Sequence, residues 1–242
     1  MAELRNSGEQ PPPMAQISSP GDVVRDRTME RFKRIYTDIR DRICTNRYRP
    51  GTVLNETELA GEFGVSRTPI RRVLQKLNHD GLVETRNGVG TFVTDVDTRT
   101  CEELYRLRMK LAELIGELSP SVDPAAHIPT FERLLAQASR LGPEPDYDAI
   151  GQMNVAVTKA LQELIQSEPL KELTALLYFR TARIWHKTMP FLDWAEEAML
   201  VTSELKEILR ALRMGDIDGV GFVRRNFIAM AFARLKRSAR AA

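Results

Sequence analysis

The run from Leu54 to Thr94 constrains this chain more than any other segment, because it orders a helix, a turn, a second helix and a glycine-centred hairpin. The second helix begins Val65-Ser66-Arg67-Thr68-Pro69-Ile70-Arg71-Arg72. Ser66 is suited to cap its N-terminus, where free N–H groups and the positive end of the helix dipole favour a phosphate. Helical spacing then sorts the side chains onto two faces. Arg67, Arg71 and Gln75 share one face, and Ile70, Val73, Leu74 and Leu77 share the other. One face packs, while the long, polar, basic one suits the major groove of DNA.

The flanks complete the unit. Asn55 with Glu58 three residues on has the form of a capping box, with Asn in place of the usual Ser or Thr. It opens a short helix carrying Leu59, Ala60 and Phe63, which Gly64 ends. Asn78-His79-Asp80-Gly81 stops the second helix. Leu82–Arg86 and Thr91–Thr94 are β-rich runs around Asn87-Gly88-Val89-Gly90, a hairpin that reads as the wing of a winged helix.

These residues carry a resemblance. Arg49-Pro50-Gly51-Thr52-Val53-Leu54, Glu58-Leu59-Ala60, Gly64 through Arg71, Gly81-Leu82-Val83 and Asn87-Gly88-Val89-Gly90 resemble a GntR-family transcription regulator. The resemblance implies that Arg67, Thr68, Arg71 and the wing residue Gly88 contact operator DNA. Two positions depart from the pattern: Arg72 stands where the family usually has Glu, and Thr57 stands where some relatives place another DNA-contacting Arg. The candidate DNA contacts are therefore Ser66, Arg67, Thr68, Arg71, Arg72 and Gln75 on the helix, and Arg86, Asn87 and Gly88 on the wing. Arg40 joins them as a phosphate contact from a basic run.

That run extends from Arg25 to Arg49 and holds nine basic residues against four acidic ones. Such clustering either tracks phosphates or is a solvated helix face. The whole-chain charge of +2 is too small to argue nucleic-acid binding by itself. With 242 residues, the chain has room for a small domain and a larger one, each able to bury a core. Residues 1–22, with Pro11-Pro12-Pro13, read as a disordered tail, 23–95 as the winged helix and 96–100 as a linker. Cys44 and Cys101 have no metal or redox spacing and read as free buried thiols in a reducing cytoplasm. No apolar run approaches ~18 residues, so no membrane partner is expected. The N-terminus has no signal-peptide pattern.

Residues 101–242 show a 3.6-residue pattern with Gly and Pro at the breaks. Helices are expected over 101–118, 127–141, 146–167, 169–188, 192–214 and 216–240, with no strand. The fold class is thus mainly α: an N-terminal winged helix-turn-helix followed by an all-helical bundle.

The bundle resembles the C-terminal FCD domain of the FadR-like subfamily, through Leu104-Tyr105-Arg106-Leu107-Arg108, Glu204, the Ala211 to Asp216 stretch and Arg225-Asn226-Phe227-Ile228. The resemblance implies dimerisation and control by an effector, often a small organic acid. Many such domains hold a divalent metal with one Asp and three His, but the aligned positions here are Ile150, Asn154, Leu205 and Phe227. Ile, Leu and Phe offer no lone pair to a cation, so no metal or other cofactor is expected. His79, His127 and His186 lie on different segments at no ligand spacing. An effector carboxylate would then be anchored by Arg108, by Arg180 and Arg183 or by none of these, with Asn154 as a lone polar group. A solvated face is the alternative for Arg180 and Arg183, and core packing is the alternative to pocket lining for Trp185 and Trp194.

The expected function is a regulator of transcription, in the sense of a repressor, acting in the cytoplasm as a homodimer on double-stranded operator DNA and responding to a small-molecule effector. A constitutive dimeric DNA-binding protein that senses nothing is the alternative. An enzyme using the bundle is remote: the sequence has no His/carboxylate cluster, no nucleophile with a base and no phosphate loop.

Overall fold

The computed structural model describes residues 20–95, 97–118 and 120–241. The tail expected over 1–22 lies outside these up to residue 19, and Pro20 already opens the first helix. The N-terminal part runs α1 (Pro20–Cys44), β1 (Val53–Leu54), α2 (Glu56–Phe63), α3 (Arg67–His79), β2 (Val83–Arg86) and β3 (Gly90–Val93). The C-terminal part runs α4 (Thr98–Glu117), α5 (Ile128–Ala138), α6 (Tyr147–Glu163), α7 (Glu168–Thr188), α8 (Trp194–Arg213) and α9 (Ile217–Ala241). Short 3₁₀ turns precede α5 and follow α7.

The winged helix forms for the reasons its sequence suggests. Asn55 caps α2, its side chain accepting from the amides of Thr57 at 2.8 Å and Glu58 at 3.3 Å, and Gly64 closes the helix at φ 62°. Ile70, Val73, Leu74 and Leu77 turn inward from α3 and are buried. The three strands pair antiparallel in the order β1-β3-β2, with Val83 opposite Val93 and Arg86 opposite Gly90. Asn87, Gly88 and Val89 make the turn between the last two, exposed at the tip.

The bundle follows the expected helices closely. Its core includes Tyr105, Phe131, Ile150, Val157, Leu164, Leu205, Ile208 and Val220. Among the described residues beyond Thr94, the one β-type contact is an isolated bridge between Pro120 and Ile165.

Each part buries a core of its own, but the core of the N-terminal part also takes in residues of the bundle. Ile35, Ile39 and Ile43, four residues apart on α1 and wholly buried, pack in one cluster with Ile70, Leu77 and Leu82. Val155 of α6 and Tyr178, Phe179 and Ala182 of α7 belong to the same cluster. The apolar face of α1 therefore packs the N-terminal part against the bundle, while Arg27, Arg31, Lys33 and Arg34 stay exposed.

Candidate functional site

On the exposed side of α3 stand Arg67, Thr68, Arg71, Arg72 and Gln75, and on the adjacent wing Arg86, Asn87 and Gly88. Ser66 occupies the N-cap position with extended backbone, but its side chain makes no capping hydrogen bond. The first N–H groups of α3 thus lack a side-chain acceptor, and no acidic residue lies in the first turn. An outside anion meets an uncompensated positive helix end there. Arg86 lies over the Phe92 ring with its guanidinium carbon 4.9 Å from the centroid, and it pairs with Glu84. Glu56, at the start of α2, receives both Arg67 and Arg71.

Three arginines that the sequence offered as ligand contacts do other work. Arg40 is buried with its guanidinium carbon 3.7 Å from the centroid of Phe179, and it pairs with Asp41 at 2.8 Å. A cation enclosed between α1 and α7 does not reach phosphate, so Arg40 leaves the list of DNA contacts. Arg180 donates its Nε to the carbonyl of Asp80 at 2.7 Å. That carbonyl lies at the C-terminal end of α3, where the helix dipole favours a cation. The guanidinium occupies the space beside Gly81, where a Cβ would come within 3.1 Å of it. Gly81 also has φ +74°, so both its backbone and its lack of side chain are used. Arg183, buried, donates to the carbonyl of Thr94 at 2.7 Å and to its hydroxyl at 2.9 Å. Arg180 and Arg183 are thus ties between α7 and the reading head, not effector anchors. A carboxylate was expected to draw them; backbone carbonyls at the end of α3 and of the wing do so instead.

The opposite side of α7 lines a cavity of about 80 Å³ between α4, α6, α8 and α9. About two to three waters would fill that volume, so as it stands it accepts a ligand of a few heavy atoms. Arg108 and Asn154 line it, and so do Trp185 and Phe227. Ile150 and Leu205 do not; they are wholly buried in the core. Trp194 is also a core residue, donating its Nε1 to the carbonyl of Gly142 at 2.9 Å. Among the described residues, no group of three or more His, Cys, Asp or Glu is placed to hold a metal.

Sequence reading missed most of the cavity's charge. Arg224 pairs with Glu204 at 2.7 Å, and Arg234 pairs with Glu197, which also accepts from Trp185 Nε1 at 3.2 Å. A signal existed: 224, 228, 231 and 235 share one stripe of α9, and 197, 200, 201 and 204 share one stripe of α8, so these charges fall on apolar faces. Arg108 differs from the other two arginines. It donates to Thr181 Oγ1 at 2.7 Å and lies between the rings of Tyr105 and Tyr178, at 5.1 and 5.5 Å, with no ion pair among the described residues. Burial pulls its pKa downward. With three arginines against two glutamates, the cavity carries an excess of one positive charge, and Arg108 is the one of the three without an acidic partner among the described residues.

His186 lines the same cavity and stays neutral at ordinary pH, because burial pulls its pKa from 6.5 down to about 4, against the weaker pull of Asp148. The unfolded chain therefore binds a proton that the folded chain refuses between those values. Its contribution is whole above pH 6.5 and is lost as pH falls through 4. Urea titrations are expected to lose about 3 kcal/mol of stability across that window through this group, and the His186→Leu variant should lose correspondingly less.

No helix among the described residues is long and apolar enough to cross a membrane.

Comparison with known proteins agrees with the N-terminal geometry. Residues 32–93 match the family of bacterial regulatory proteins of the gntR type. The chain is 33% identical over 97 residues to an uncharacterised HTH-type transcriptional regulator of Bacillus subtilis, YdhC, covering 40% of this chain and 43% of that one. It is 39% identical over 66 residues to the Nta operon transcriptional regulator of Aminobacter aminovorans, covering 27% and 31%. To the gluconate operon transcriptional repressor of Bacillus subtilis it is 26% identical over 102 residues, 42% of each. The chain spans less than half the length of each of these relatives, all named as transcription regulators and none as an enzyme. Over nearly the whole fold it is similar to McbR/YncC of E. coli, with TM-score 0.72 and 20% identity, covering 86% of this chain and 98% of that one. A GntR regulator from Rhodococcus sp. RHA1 has TM-score 0.66 and 22% identity over the same shares. The N-terminal part is thus similar to the gntR-type regulatory unit, and the fold sets it on a helical bundle.

Proposed function

We propose that this chain regulates transcription, in the sense of a repressor, by binding operator DNA as a homodimer in the cytoplasm, under the control of a small anionic effector. In this reading 23–95 reads DNA, 96–100 links, and 101–242 dimerises and senses. The observation that carries the DNA part is the open polar face of α3 beside an exposed wing, with the uncapped start of α3 between them. A single winged helix reads only a few base pairs, so two copies on a symmetric operator supply the remaining discrimination.

Replacing Arg67 or Arg71 with alanine should weaken binding to the selected operator by roughly ten- to a hundredfold, the size of a lost bidentate guanine contact. Fluorescence anisotropy measures it. Parental affinity and base preference in both variants would overturn this orientation of α3.

For the effector, the support is Arg108, tied to the Thr181 hydroxyl but to no carboxylate among the described residues, in a cavity with one surplus positive charge: a small monocarboxylate meets that need, with Asn154 as a further hydrogen-bonding group. Helix α7 joins sensing to reading. Tyr178, Trp185 and His186 line the cavity, while Arg180 and Arg183 of the same helix hold Asp80 and Thr94. A ligand that prefers one position of α7 would bias the reading head by that difference in affinity.

A constitutive binder is the second reading, and the small size of the cavity favours it. Thermal melting against a panel of small carboxylates separates the two. The sensor reading expects a rise with at least one acid in the parent chain and none in Arg108→Ala; no rise with any acid supports the constitutive binder.

A further inference from the structure

We infer that Glu56 is a specificity-determining residue for DNA: it holds Arg67 and Arg71 from beneath and withdraws part of their charge from phosphate. This rests on the DNA-reading role proposed above and adds the residue that sets its selectivity.

The geometry is a three-residue cluster. Glu56 Oε1 accepts from Arg71 Nε at 3.0 Å, and Oε2 accepts from Arg71 Nη2 at 2.9 Å and from Arg67 Nη2 at 3.0 Å. The carboxylate side chain is 25% exposed, against 61% and 59% for the two arginines, so the guanidiniums lie outermost. Arg71 is gripped along its Nε–Nη2 edge. Its terminal Nη1–Nη2 edge stays open, and that edge matches the paired O6 and N7 acceptors of guanine. Glu56 belongs to α2, whose positive end favours a carboxylate in the first turn and whose cap is Asn55. The carboxyl is held below its ordinary range, first by its bonds from Arg71 and then by those from Arg67.

Two consequences follow for a DNA reader. Long arginines four residues apart would otherwise repel each other and sample many rotamers; one carboxylate fixes both at once. The trio also carries a net charge of one rather than two. Affinity for arbitrary duplex grows with the number of phosphates neutralised, so Glu56 lowers it, while guanine contacts gain from the fixed orientation. The ratio between selected and arbitrary DNA rises on both counts.

The test uses the full chain, the duplex it selects from a random library, and a scrambled duplex, by anisotropy over a salt series. Glu56→Gln should bind the scrambled duplex several-fold tighter at low salt and steepen the salt slope by about one. Its selected-to-scrambled ratio should fall on the order of tenfold. Glu56→Asp retains the charge but shortens the reach, so its slope should stay parental while its ratio falls. In a chain already carrying Arg67→Ala and Arg71→Ala, Glu56→Gln should leave the ratio where it was, which a role confined to starting α2 would not predict. A parental ratio and slope in Glu56→Gln, or an equal fall in the double-alanine background, overturns the inference while leaving the DNA reading intact. A parent chain that selects no duplex at all overturns the DNA reading, and this inference with it.

Discussion

Glu197→Ala is expected to destabilise the bundle by about 3–5 kcal/mol, the cost of leaving a buried ion pair half made. Glu197 is 2% exposed and its partner Arg234 is 7% exposed, so neither can turn to water when the other is lost. The same carboxylate accepts from Trp185 Nε1 at 3.2 Å, and truncation would strand that donor too. The pair bridges α8 and α9 beside the cavity, so its loss acts on packing and on the pocket wall together. Urea unfolding followed by far-ultraviolet circular dichroism measures the change. Removing both charges, as Glu197→Leu with Arg234→Met, should recover most of the loss, because the penalty arises from the unpaired guanidinium rather than from the missing attraction. A single variant as stable as the parent would mean that the pair is hydrated in solution.

Arg183→Met is expected to cost about 3 kcal/mol and to loosen the reading head from the bundle, since hydrogen bonds from a charged donor are worth about 1.5–3 kcal/mol and the half-buried Thr94 carbonyl would lose its donor. The acceptors are the carbonyl and hydroxyl of Thr94, just beyond the wing, with the carbonyl of Leu82 at 3.4 Å. Methionine keeps much of the volume, so the loss reports the polar tie rather than a cavity. The parent should unfold in one transition because the apolar cluster of the head includes Tyr178, Phe179 and Ala182 of the bundle. In the variant, separate probes of head and bundle should give transitions that no longer coincide. Coincident transitions at parental stability would show that the apolar contact alone couples the two parts.

Much of this arrangement was legible in the sequence. Gly64 and Gly88 lie where a left-handed backbone favours glycine, and the inward face of α3 follows from spacing alone, whereas Ser66 holds the N-cap position without making the expected cap. Long-range partners are not written in that way. Arg40 reads as a phosphate contact and Arg180 and Arg183 read as effector anchors or a solvated face, yet their partners are Phe179, Asp80 and Thr94, far away in the chain. Only the docking of α7 on the head brings them together. Arg224, Arg234 and Glu197 were overlooked, and Glu204 was noticed only through resemblance, for a related reason. A helix-period pattern marks a face as buried, but it does not say that opposite charges on two such faces will meet. Arg108 and Asn154 were found through resemblance, and the structure puts them in one cavity.

The most direct measurement is the selection of duplex from a random library by the full chain, carried out in parallel with a chain carrying both Arg67→Ala and Arg71→Ala. The parent should enrich an inverted repeat whose half-sites are about one helical turn apart, with guanines at the positions that the double variant ceases to prefer. Enrichment of no sequence by the parent, or of the same sequence by both chains, would contradict the account.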